Sequence, residues 1–394
     1  MRLRRLALIA FAALCAAAIV AGCGSSSSSS SSTSSSNSGG GEASTEGSSG
    51  APSTAGLPPM PPTSPVETIR QTTPLTKKPP TGVTVATVIP TTPQATYYVE
   101  TLEEAAAALG WSIKTYTYEP EGDPGPPLMQ AINSNPDYVW AYALVPESLK
   151  TQFAAAEKAG IPVLNEGNPG PSDPAKGYYS LNRSPSEYAT AGADWVMNDA
   201  KGDAHVLMVN LPVYPYLQEF SAMFEERVNK YCPECTYEVL NVTIEDFSSG
   251  QIPTKITSFL QAHPDINYVY IANTDLVQGV VPALRSTGLL EHITLTATGT
   301  NKAVAQAIGE GYMRGNPITA SAAIGWQALD VAARLSVGMD LSKVINTKTF
   351  AYSPVESWNL VEEELAKELE QYEYGWPGPE NFQEQYEALW QIGS

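Results

Sequence analysis

Residues 82–111 read GVTVATVIPTTPQATYYVETLEEAAAALGW. Val83 to Ile89 is a β-branched run stopped by Pro90, the pattern of a strand buried on both faces. "ATYYVETLEEAAAALGW" then reads as a helix that stops at Gly110, a residue suited to a helix C-terminus. A buried strand handed straight to a helix is the opening of a parallel α/β sheet.

Working outward, the same alternation continues. "SIKTYTYE" (112–119) is a strand, "PLMQAINSNP" (127–136) a short helix and "YVWAYAL" (138–144) a strand. "PESLKTQFAAAEKAG" (146–160) is a helix, with "IPVLNEG" (161–167) and "GYYSLN" (177–182) as strands. The pattern then restarts with a helix over 186–200. "AHVLMVN" (204–210), "TYEVLNVTI" (236–244), "NYVYIAN" (267–273), "ITLTATG" (293–299) and "ITASAAI" (318–324) read as strands. Helices are expected over 216–231, 249–264, 275–288 and 301–311. Short connections between alternating elements mean parallel sheets with helices on both faces. Two such runs in succession make two α/β lobes facing across a cleft, and ligands of open α/β sheets bind beyond the carboxyl ends of strands.

The 394 residues carry 41 acidic and 22 basic side chains, a formal charge of −19. Such a surface repels phosphate backbones, so nucleic-acid binding is disfavoured. The N-terminus has a plan of its own. Arg2, Arg4 and Arg5 precede an apolar run from Leu6 to Val20, the layout of a secretory signal over 1–22. The run is short for a membrane span, which needs ~20 apolar residues. Residues 24–80 are low in complexity, Ser/Gly first and then Pro/Thr, and neither half looks able to bury a core. As a flexible chain, 23–80 would reach roughly 40 Å.

Of four cysteines, Cys15 lies inside the signal and Cys23 just past it. Cys232 and Cys235, in "YCPECTY", are an exported pair two residues apart and read as a small disulfide joining a helix to the next strand. Redox chemistry is the alternative, but it calls for a Cys near a helix N-terminus, and this pair follows a helix. His205, His263 and His292 are scattered, so no metal site is expected. There is no Gly-x-Ser-x-Gly elbow and no phosphate-cradling Gly-x-x-x-x-Gly-Lys, so neither an enzyme nor a cofactor is expected.

Two resemblances follow from these residues. Val20-Ala21-Gly22-Cys23 resembles the bacterial lipobox, which implies lipidation of Cys23 and a protein anchored to the outer face of the cell membrane. "LKTQFAAAEKAGIPVLNEG", "YVYIANTDLVQGVVPALRSTG", "TGTNKAVAQAIGEG" and "AAIGWQALDVAARLSVG" resemble, in order, type I periplasmic binding proteins of the ribose-binding kind. The resemblance implies two Rossmann-like lobes joined by a hinge. Lobe one would hold 81–182 and 324–350, and lobe two 183–323 and 351–394. It further implies a monomer that closes on a small sugar-like solute and hands it to the permease of an ABC importer. A sensory module presenting ligand to a membrane receptor would have the same sequence.

The strand-end loops name the candidate ligand contacts. Lobe one offers Thr91, Thr92, Gln94, Tyr97, Tyr98, Tyr142, Asn165, Glu166 and Asn168. Lobe two offers Tyr214, Tyr216, Gln218, Asn273, Asp275, Thr300 and Asn301. Aromatic faces suit a ring, and amides and carboxylates fix hydroxyl direction. The chain departs from the sugar-binding pattern in the first loop, where Thr91-Thr92-Pro93 lacks the expected aromatics. It departs again at Asn273-Thr274-Asp275 and at Thr298, where carboxylates are displaced or replaced by hydroxyls.

Overall fold

The structure is a computed structural model that describes residues 54–61, 67–167, 171–181, 185–318, 320–341, 360–361 and 363–392. Chain contacts divide it into Met1–Ser49 and Gly50–Ser394, and all described residues fall in the second unit. Cys23, Asn168 and the Ser/Gly stretch lie outside them.

The first sheet contains β1 (Thr84–Pro90), β2 (Ser112–Tyr118), β3 (Tyr138–Tyr142), β4 (Val163–Glu166) and β5 (Tyr178–Leu181), in the order β2-β1-β3-β4-β5. Every pairing is parallel. Residues 85–89 of β1 are buried on both faces, as a central parallel strand requires. Helix α1 (Pro93–Leu109) starts where the Thr92 side chain accepts a hydrogen bond from the Ala95 amide, with Pro93 in the first turn. It ends at Gly110, which adopts φ 69° and turns the chain into β2. Helices α2 (Gly125–Asn133) and α3 (Lys150–Ala159) cover the other face.

Helix α4 (Pro185–Asp199) opens the second lobe, built on β6 (His205–Asn210), β7 (Thr236–Asn241), β8 (Tyr268–Ile271) and β9 (Thr294–Ala297). Their order, β7-β6-β8-β9, repeats the first four strands of lobe one, again all parallel. The fold is thus α/β with two doubly wound parallel sheets. Helix α5 (Pro215–Tyr231) packs on α4, where Arg227 grips Asp194 through two hydrogen bonds of 2.7 and 2.8 Å. Cys232 and Cys235 are buried and joined by a disulfide at the α5–β7 turn.

Three stretches depart from the sequence reading. The strand expected over 236–244 stops at Asn241, because Thr243 and Asp246 form a reciprocal capping box that starts α6 (Ile244–Ser248) before α7 (Ile252–Ala262). The helix expected over 275–288 splits into a 3-10 turn at Thr274–Val277 and α8 (Val280–Ser286), with Gly279 at φ 76° between them. After α9 (Lys302–Gly309), the strand expected over 318–324 is replaced by β10 (Asn316–Pro317) and by a helix, α10 (Ala323–Ser336).

Helix α10 returns to lobe one and crosses α1 closely. A side chain at Gly325 would run into the Leu102 amide, and the Gly325 amide donates to Thr101 Oγ1 at 3.1 Å. The C-terminal region then divides. β11 (Leu360–Val361) pairs with β10, and α11 (Glu363–Leu369) packs on α9 of lobe two. Helix α12 (Phe382–Trp390) packs on α10 of lobe one instead, with the Trp390 and Trp326 rings stacked at 5.3 Å. The sequence reading had 351–394 as one block of lobe two. A fully buried Asp330–Arg334 pair at 2.7 Å, to which Trp390 Nε1 donates at 2.9 Å, holds α12 in place. Removing one partner of such a pair costs about 3–5 kcal/mol.

The Pro/Thr stretch also differs from expectation. Ile69 and Leu75 are 4% and 2% exposed and belong to the main core. Burying each is worth ~1.5–3 kcal/mol. Residues 67–80 therefore lie on the body, and a soluble form beginning at Thr81 would forfeit that burial.

Candidate functional site

The cleft-facing ends of the two sheets differ in texture. In lobe one the candidates are mostly engaged by neighbouring side chains and backbone. Thr92 caps α1, and Thr91 Oγ1 donates to Glu119 Oε2 at 3.2 Å. Gln94 Nε2 donates to the Tyr98 hydroxyl at 2.6 Å, and the Tyr98 ring meets Tyr142 edge-on at 5.4 Å. Tyr98 is 2% exposed, so its ring is core, while Tyr142 is half-buried at the end of β3. Asn165 is fully buried. Its amide clasps Leu144, accepting from the backbone N–H at 3.2 Å and donating to the carbonyl at 2.9 Å, and it also donates to Tyr178 Oη at 3.0 Å. Glu166, next in β4, is buried as well.

Tyr97 faces the crossing between lobes. Its ring stacks on Tyr374 at 4.3 Å and its hydroxyl pairs with Ser321; burial is the main reason its pKa is raised. Ser321 and Ala322 donate their amides to the Trp376 and Pro377 carbonyls at 2.8 and 3.1 Å. Gly375 sits so close to Thr300 that a side chain there would run into the Thr300 carbonyl. Two segments, 321–322 and 375–377, are thus stitched side by side. Trp376 is buried there.

In lobe two the candidates are more open. Tyr214 heads α5 and is 41% exposed, beside Val213 at 60%. Gln218 is exposed on the first turn of α5, and Tyr216 is half-buried against the core. Asn273 accepts from the Asp275 amide at 2.8 Å, and Asn301 caps α9 by accepting from the Val304 amide at 2.9 Å. Thr300 is nearly buried. Asp275 has surface open to solvent, yet the protein around it strips enough water to push its carboxyl above the usual range.

Three residues absent from the sequence-based list also stand at strand ends. Tyr118 closes β2; burial, and to a smaller degree Tyr214 across the cleft, push its hydroxyl up to about 12. Tyr214 is raised in turn by burial and then by Asp275. Tyr118 thus feels Tyr214, and Tyr214 feels Asp275, through charge. Glu119 follows Tyr118 and holds Thr91. Asn210 closes β6 at 3% exposure, and its buried Oδ1 accepts no hydrogen bond among the described residues. The signal for Asn210 was present: "VLMVN" closes an apolar strand with an amide, as "VLN" does at Asn165. The described residues contain no group of three or more His, Cys, Asp or Glu side chains able to hold a metal ion, and no helix long and apolar enough to cross a membrane.

The comparisons with known proteins agree with this architecture. The family model described as "Periplasmic binding protein domain" matches residues 85–340. Among solved structures, an ABC transporter solute-binding protein from Mycobacterium smegmatis with bound glycerol superposes with a TM-score of 0.63 at 17% identity, over 75% of this chain and 99% of that one. The 5-methylthioribose transporter solute-binding protein of Thermotoga lettingae gives 0.62 at 17% identity, over 74% and 90%. The arabinose-transporter binding protein of Shewanella sp. ANA-3 gives 0.61 at 17%, over 78% and 98%. No curated protein matches the chain. With two like-ordered parallel sheets, paired crossing segments and a family match over more than half its length, the chain belongs to the periplasmic binding protein family, with the type I fold.

Proposed function

We propose that the protein captures a small polar, sugar-like solute between its lobes and delivers it to an ABC importer from the outer face of the cell membrane, anchored through lipid on Cys23. The support for this reading is the electrostatic coupling of Tyr118 of lobe one to Tyr214 of lobe two, and of Tyr214 to Asp275. Rings of this kind give apolar faces to a pyranose or polyol, and Asp275, Asn210 and Glu166 are suited to its hydroxyls. The stitched segments at Ser321–Trp376 are the hinge about which the lobes close. The surrounding acidity disfavours anionic solutes. The protein acts as a carrier and not as an enzyme.

The test is a thermal-shift screen of sugars, polyols, nucleosides and aromatic acids. A true ligand at 100 times its Kd adds ~2.7 kcal/mol of stability. A screen in which every class leaves melting unchanged removes the uptake reading. Release of cell-surface protein by a substitution at Cys23 tests the anchor.

A further inference from the structure

The Pro/Thr stretch touches both lobes, and this has a consequence for their movement. Toward lobe one it runs along α12. The Leu75 amide donates to the Leu389 carbonyl at 2.8 Å, the Ile69 amide to Gln385 Oε1 at 2.9 Å, and Gln391 Nε2 to the Leu75 carbonyl. Gln385 Nε2 reaches the Glu67 carbonyl at 3.3 Å, and Trp111 Nε1 closes the run on the Pro80 carbonyl at 2.7 Å. Toward lobe two it meets α4 at both ends of that helix. Arg70 pairs with Glu187 at 3.0 Å, and Asn198 Nδ2 donates to the Pro58 carbonyl at 2.9 Å. Pro58 and Pro61 are buried, and Leu57 packs on the core. Helix α4 is itself fixed to lobe two by the Asp194–Arg227 fork, so a restraint on α4 restrains the lobe.

We infer that the stretches 54–61 and 67–80 act as a strap outside the hinge, a further link between the lobes that biases the opening of the cleft. The two attachments are unequal. Among the described residues, the strap runs along lobe one through the five hydrogen bonds named above. It reaches lobe two through the exposed Arg70–Glu187 ion pair and the Asn198–Pro58 hydrogen bond. The lobe-two end is therefore the end that lets go. Losing an exposed ion pair and a hydrogen bond together shifts the ratio of lobe arrangements by about tenfold.

The experiment measures interlobe distances by pulsed electron spin resonance in the full chain without added solute. Cys15 and Cys23 are replaced by Ser, and spin labels are placed at Glu121→Cys beyond β2 and Ser248→Cys beyond β7. Arg70→Ala with Asn198→Ala should raise the long-distance population about tenfold relative to the parent, with the melting temperature confirming that the protein stays folded. Arg70→Glu should act in the same direction, and the swap Arg70→Glu with Glu187→Lys should restore the parent distribution. Unchanged distances in the folded Arg70→Ala, Asn198→Ala protein would overturn the strap. So would a swap that fails to restore them, because the effect would then belong to α4 alone. None of these outcomes depends on which solute the cleft takes.

Discussion

The two lobes share a strand order but divide the work of the cleft differently. Lobe one presents side chains that are already satisfied: Asn165 is spent on Leu144 and Tyr178, Gln94 on Tyr98, and Thr92 on the start of α1. Lobe two presents side chains with open surface, with Tyr214 proud of α5 and Asp275 desolvated beside it. The difference teaches that residues at equivalent strand ends are not equivalent in role. In lobe one they brace the sheet ends; in lobe two Tyr214 and Asp275 keep open surface, the two side chains proposed to meet a solute.

Substitutions that set one lobe against the other sharpen this contrast. The largest effect belongs to Asn165→Ala, which leaves the Leu144 backbone and the Tyr178 hydroxyl without this partner. We expect a loss of about 2–4 kcal/mol in urea unfolding, since leaving the buried Leu144 amide and carbonyl unpaired costs ~1–3 kcal/mol each. If Asn165→Ala unfolds like the parent, the bracing assignment fails. Asn301→Ala removes one helix cap in lobe two and should cost about 1 kcal/mol by the same measurement. Asp275→Asn goes the other way. Its carboxyl has a raised folded pKa, so the native state holds the proton more tightly than the unfolded chain. Stability is then lost as pH rises from the unfolded pKa through the folded one, and that loss is fully present at pH 7. Because Asp275 is partly open to water, Asn there should raise the melting temperature slightly at pH 7 and have no effect below the unfolded pKa. Tyr214→Phe is the smallest change, within about 0.5 kcal/mol, because the ring stays and only the hydroxyl is lost.

Much of the architecture was legible in the sequence, since buried parallel strands advertise themselves as β-branched runs and helix ends as Gly110 or Gly160. The failures have identifiable causes. The strand read through Val242 to Ile244 missed that Thr243 and Asp246 cap each other three residues apart. "ITASAAI" is apolar enough for a strand, but the amides of Ser321 and Ala322 bond Trp376 and Pro377, a partnership some 55 residues away that no local pattern reveals. The Pro/Thr stretch has a composition that forbids a core of its own, yet Ile69 and Leu75 borrow the body's. Strand ends located the candidate cleft, whereas the state of each side chain there, capped, clasped or open, depends on contacts between distant elements.

The central claim is that the Tyr118–Tyr214–Asp275 face between the lobes receives a solute. The direct measurement is the thermal-shift screen run in parallel on the parent and on Tyr214→Ala with Asp275→Asn. The account predicts that at least one neutral sugar or polyol raises the melting temperature of the parent and leaves the double variant unmoved. A solute that stabilises both proteins equally would contradict it.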